Sequence, residues 1–177
     1  MHLDKLFGSK TKVDIIKYLL FKRQGVSVRA LEHEIPWTFP AIKKQIDSLE
    51  LADVIFVDKD KMKWSIFVKP DIMAPIKTLF LHYLTHDLKK IFSVYEVMIE
   101  KFYFGQIFGN TIDVDLILIH KNMEKEPLDR LREEINSTFR DYFIDSVAIV
   151  CMSADEFQKR YRLADKFVLN LMRNLKM

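Results

Sequence analysis

The 177-residue sequence is poor in the residues that interrupt or staple a chain: it has one cysteine, Cys151, four glycines and five prolines. One cysteine excludes an internal disulfide and any multi-cysteine metal cage. So little glycine and proline leaves no stretch with the make-up of a long flexible linker. There is no apolar run of about 18 residues and no leader-like N-terminal segment, so the expectation is a cytoplasmic chain that does not enter a membrane. Charge of one sign is scarce too, since 28 Lys+Arg against 25 Asp+Glu leave a net +3.

What is present is the make-up of a folded protein, with 49% hydrophobic and 30% charged residues. The length allows one large domain or two small ones. The small positive surplus is uneven: residues 1–70 hold 13 Lys+Arg against 9 Asp+Glu, whereas residues 71–177 hold 15 against 16. A basic first part fits a polyanionic partner, or only a solvated surface.

Local signals in the first seventy residues are strong. Ser9 precedes "KTKVDIIKYLLFKR", whose Val13, Ile16, Leu19 and Leu20, flanked by Ile15, form the face of a helix that Gly25 stops. Ser27 is placed to cap "VRALEHEI", in which Val28, Leu31 and Ile35 share a face before Pro36 breaks the run. Thr38 supplies a capping hydroxyl for a third helix, Pro40 sits harmlessly in its first turn, and Ile42, Ile46 and Leu49 mark its buried side. Lys43 and Lys44 therefore point elsewhere. The helix is expected to close near Leu51 or Ala52. "VIFV" and "KWSIFV", joined by the polar "DKDKMK", then predict a hairpin with a charged tip.

Three helices followed by a hairpin resemble the winged helix-turn-helix family of DNA-binding domains over residues 6–69. The resemblance rests on "LFGSKTKVDIIKYLL", "SVRALEHEI" and "AIKKQIDSLELADVI". It departs from the family at Asp53, where a glycine is usual, and at the bulky "PWTFP" turn. It implies that Thr38, Phe39, Pro40, Lys43, Lys44 and Gln45 face the major groove of double-stranded DNA. Thr38 and the helix N-terminus would hold a phosphate, Lys44 or Gln45 would bond to bases, and Lys59, Lys61 and Lys63 in the wing, with Arg29, would meet flanking phosphates. Such folds also serve as protein-interaction scaffolds, and a lysine pair on an exposed helix face is also what a merely solvated face presents.

Beyond Pro70, Asp71 is placed to cap a helical stretch, one long helix or two short ones. Ile76, Phe80, Tyr83, Leu84, Leu88, Ile91, Tyr95, Met98 and Phe102 keep the period. Its wide aromatic face suits a joint between the two halves of the chain or, around Phe80 to Tyr95, a seam with a second copy. His82 and His86 at i, i+4 form a possible metal pair without a carboxylate partner. Strand, strand, helix, strand, helix then follow, an α+β layer. Within it "DVDLILI" sets Asp113 and Asp115 on one side of a strand, where mutual repulsion calls for solvent or a cation such as Mg²⁺.

"FGQIFGNTIDVDL", with "MSADEFQKRY" and "ADKFVLNLM" further on, resembles the minimal nucleotidyltransferase domain over residues 90–172. The family's serine is Gln106 here, the loop from Gly105 to Asp113 is short and without basic residues, and the third carboxylate position falls on Ala148, with Asp141 and Asp145 the nearest acids. The expected fold is α+β: a winged helix-turn-helix (1–70), a connecting helical segment (71–101) and a nucleotidyltransferase-like α/β domain (102–177). The expected function is a DNA-binding transcriptional regulator, working as a homodimer without a cofactor, whose second half is non-catalytic and used for assembly or for sensing a nucleotide or small-molecule effector. The alternatives are a Mg²⁺-dependent nucleotidyltransferase, using Asp113 and Asp115 for metal and Gly105 and Gln106 for nucleotide, or a winged-helix scaffold. Cys151, in an apolar strand, is expected to be an inert core residue.

Overall fold

The computed structural model describes residues 3–60 and 63–174. Among these the fold is α+β, with eight α-helices, a two-stranded sheet and a three-stranded sheet. Two compact units divide the chain: residues up to 85 together with 140–144, and residues 86–139 together with those from 145 onward.

The first unit begins with α1 (Leu3–Phe7) and α2 (Lys10–Phe21). Ser9 caps α2 as its position predicts, its Oγ accepting from the Lys12 N–H at 3.4 Å. Of the expected face Val13, Ile15, Ile16 and Leu19 are buried and Leu20 is half-buried; Asp14 and Tyr18 are buried as well, so α2 is covered on more than one face. Part of the extra cover is residues 140–144. The Phe143 ring meets Tyr18 edge-on at 5.5 Å, Tyr142 meets Phe21 at 6.1 Å, and Lys17 Nζ donates to the Asp141 carbonyl at 2.9 Å. Nothing in the spacing of α2 announces a partner more than a hundred residues away.

Ser27 Oγ accepts from the Ala30 N–H at 3.1 Å and opens α3 (Val28–Glu34). α4 (Phe39–Leu51) follows, with Ile42, Ile46 and Leu49 buried as their spacing requires. The turn out of α4 passes through Asp53, whose φ of +62° is left-handed. Its N–H donates to the Glu50 carbonyl and that of Val54 to the Leu49 carbonyl, both at 3.0 Å, the paired bonds of a Schellman ending. A glycine suits that position for its freedom, and aspartate is among the few other residues that tolerate it. β1 (Ile55–Asp60) and β2 (Lys63–Val68) then pair antiparallel, Ile55 opposite Val68 and Lys59 opposite Trp64. Val26 adds a bridge to Ile66.

α5 (Pro70–Val94) is one continuous helix with Pro75 inside it, and the boundary between the units falls within its length. It starts at Pro70, so Asp71 lies in the first turn rather than at the cap, where its charge still complements the helix dipole. The helical period expected through Tyr95, Met98 and Phe102 ends instead at Val94. Residues Ile99–Phe104 form strand β3, in which Phe102 and Phe104 share a face. Phe92 of α5 lies 4.6 Å from the Phe102 ring, and aromatic packing at period two wins over the coincidental 3–4 spacing.

In the second unit β3 pairs antiparallel with β4 (Leu116–His120), and β4 pairs parallel with β5 (Ile149–Ser153) across the crossover helix α6 (Lys125–Arg140). Ile117, Ile119 and Met152 line one sheet face with Leu171, beneath α7 (Ala154–Arg162) and α8 (Lys166–Asn174). β4 is buried along its whole length, as a central strand between two layers must be. A single-turn 3₁₀ helix at Gln106–Phe108 follows β3. At its start Gly105 crosses the backbone before β4 so closely that a Cβ would lie 1.7 Å from the Val114 carbonyl oxygen.

Gly105→Ala is therefore expected to destabilise the second unit by about 3 kcal/mol or more, since neither backbone can yield. Gly109, at φ +86° with open space around it, is expected to cost only about 1 kcal/mol as alanine. Urea midpoints of the two variants check the difference.

Candidate nucleic-acid interface

Thr38 stands at the N-cap of α4, but its side chain makes no capping bond. Glu32 of α3 takes that role: its Oε1 accepts from the Phe39 N–H at 2.9 Å. The phosphate expected at this helix start would meet a carboxylate already in place. Thr38, Phe39 and Pro40 are exposed, as is Lys44, while Gln45 is half-buried. Arg29 is exposed in the first turn of α3.

Lys43 is half-buried and forms an i, i+4 ion pair with Asp47. Its ammonium also lies 5.8 Å from the centre of the Trp64 ring, and that of Lys59 lies 5.3 Å from the same ring. The fold thus gathers two of the expected DNA-facing lysines, one from α4 and one from β1, around a single indole that is 49% exposed. Lys63 is the first residue of β2, and Lys61 lies outside the described residues. Trp64 is absent from the set read off the sequence, although hairpin pairing would have placed it opposite Lys59. The other tryptophan is structural, its Nε1 donating to the buried Asp14 carboxylate at 2.8 Å.

The second set of expected site residues is placed differently from its sequence reading. β4 begins at Leu116, so Asp113 and Asp115 lie in the bends before the strand and do not share a strand face. Asp113 is exposed, whereas Asp115 is only 9% exposed and its Oδ2 accepts from the Ala148 N–H at 2.9 Å. Gly105 and Gln106 are brought beside this segment, but their amides already donate to the Asp115 and Val114 carbonyls at 2.8 and 2.9 Å. They are not free to cradle a phosphate. Asp141 and Asp145 are exposed, and among the described residues no group of three or more His, Cys, Asp or Glu side chains is placed to hold a metal ion. The residues present do not fit Mg²⁺: one carboxylate is committed to the backbone, and the other stands apart in solvent.

His82 and His86 are exposed on α5. Cys151 is half-buried rather than a core residue, and its Sγ accepts from Arg132 Nε at 3.4 Å. On the strand beside it His120 is buried, its Nδ1 accepting from the Met123 N–H at 3.2 Å, which fixes the neutral ring with its proton on Nε2. Burial, and then the Arg132 charge, hold the His120 pKa below the ordinary 6.5, with Glu156 opposing them. Among the described residues no helix is long and apolar enough to cross a membrane. Compared with protein-family models, curated proteins and solved structures, the chain matches none.

A histidine whose folded pKa is depressed stabilises the fold above its unfolded value. Stability is expected to fall as the pH drops below about 6.5 toward the lowered folded value. Denaturation midpoints measured against pH should show that loss in the wild type and a smaller one in His120→Gln.

Proposed function

We propose that the first unit is a winged helix-turn-helix that binds duplex DNA, with α4 as the recognition helix and β1–β2 as the wing, and that the protein is a transcriptional regulator. One observation carries this reading: the Lys43 and Lys59 ammonium groups, from helix and hairpin, converge on one exposed ring. Support also comes from the exposed start of α4. A major groove about 12 Å wide admits one helix, whose first residues reach base edges while a neighbouring hairpin meets phosphates. Charge contrast with the rest of the chain strengthens it, because the basic surplus falls in residues 1–70.

One such unit offers limited contact area, and operators are commonly two-fold symmetric, so the regulator acts as a cytoplasmic homodimer. The second unit, a nucleotidyltransferase-like layer, serves assembly or the sensing of a small effector. No catalytic step is assigned to Asp113 and Asp115, since the Asp115 carboxylate is engaged by the Ala148 N–H.

Binding to a genomic duplex should weaken steeply with salt, with a log–log slope between about −3 and −4 per chain if four cationic side chains each meet a phosphate. Lys43→Glu/Lys44→Glu should abolish it, and salt-independent or absent binding would remove the proposal. Asp47 competes with DNA for Lys43. Asp47→Asn should therefore tighten binding about two- to fivefold, the worth of one exposed ion pair, as read by fluorescence anisotropy.

A further inference from the structure

We propose that Trp64 is a base-stacking platform, so that the chain selects duplex DNA bearing an unpaired or unstacked base over continuous duplex. This rests on the DNA-binding reading above and names the form of DNA that the same site takes. On one face of the hairpin Ile66 and Val68 are almost fully buried, and Trp64, two residues before Ile66, continues that face beyond the core. The residue is 49% exposed, with two ammonium groups 5.3 and 5.8 Å from the ring centre. An exposed indole presents a large flat apolar surface that water solvates poorly.

The adjacent face of α4 repeats the pattern. Phe39, 38% exposed, is one helical turn before Lys43, so ring, cation and ring alternate from helix to hairpin. Such alternation suits nucleotides, each of which places an anionic phosphate beside a flat base. An apolar protein partner would bury the same lysines without supplying an anion for Lys59, which is costly. In continuous duplex every base face is already covered by its neighbours. Only a step that opens, or a base that is already unpaired, can lie against the indole without that loss.

The test uses the full chain and a fluorescein-labelled duplex in three forms, blunt, with a short single-stranded overhang, and with one central mismatch, together with the labelled strand alone, at one fixed salt concentration. Wild type should bind the overhang and mismatch forms about tenfold tighter than the blunt duplex, the scale of one base stacked on an aromatic ring. Trp64→Leu, which keeps apolar bulk without the flat ring, should bind the three duplex forms alike, and Trp64→Phe should keep part of the preference. Tryptophan emission should be quenched by overhang DNA in wild type, and Trp64→Phe should lose that quenching. Equal affinity of wild type for all three forms, or an unchanged preference in Trp64→Leu, overturns the stacking role and leaves duplex binding standing. Binding to single strands alone upholds stacking and overturns the duplex reading, and no binding to any form overturns both.

Discussion

The reversal at Asp53 decides where the hairpin lies against α4, and the proposed interface depends on it. Two backbone bonds close the helix, the left-handed residue swings the chain, and Val54 delivers β1 back along the side of α4. Asp53 then does a second job. Its carboxylate pairs with Lys69, whose N–H donates to the Val54 carbonyl at 3.0 Å, so the exit from the hairpin is tied to its start. With both ends of the hairpin held, the opposition of Lys59 and Trp64 follows from strand pairing, and the indole comes within reach of Lys43. Lys43 would not reach the ring if the chain left α4 at another angle.

The second unit is organised by a different constraint, the close passage of Gly105 over the segment before β4. Backbone groups that might have faced a ligand are consumed there: two amides go to the carbonyls of Val114 and Asp115, and the Asp115 carboxylate is spent on the Ala148 N–H. The bonds between Asp115 and Ala148 lie directly before the β4–β5 register in which Leu116 faces Ile149. An acidic pair that reads as a metal site in the sequence is, in the fold, divided between a structural acceptor and a solvated side chain. Stability and ligation compete for the same oxygens, and the fold has taken Oδ2 of Asp115.

Helix boundaries near caps were legible because the cues are local: Ser9 and Ser27 do what serine does at a helix start, and Ile42, Ile46 and Leu49 are buried where their spacing puts them. Misreadings came from packing between elements and from competing periods. Glu32 displaces Thr38 as the cap because α3 lies alongside the start of α4, and no pattern in "PWTFP" reveals that. The β-rich run from Phe102 was legible, but the start of the strand at Ile99 was hidden by residues that also fit the helical period. Of the candidate interface, the lysines were legible from charge and helical phase. Trp64 required the hairpin register, and the split between Asp113 and Asp115 required knowing that β4 starts only at Leu116.

Residues 140–144, which cover Tyr18 and Phe21, have a consequence for synthesis. The amino-terminal unit cannot complete its packing when residue 85 leaves the ribosome, because five of its residues are still untranslated. At translation speeds of about 5–20 residues per second, the α2 surface waits for roughly 3 to 12 seconds with two aromatic rings uncovered. That interval makes nascent chains of intermediate length the forms most in need of a chaperone.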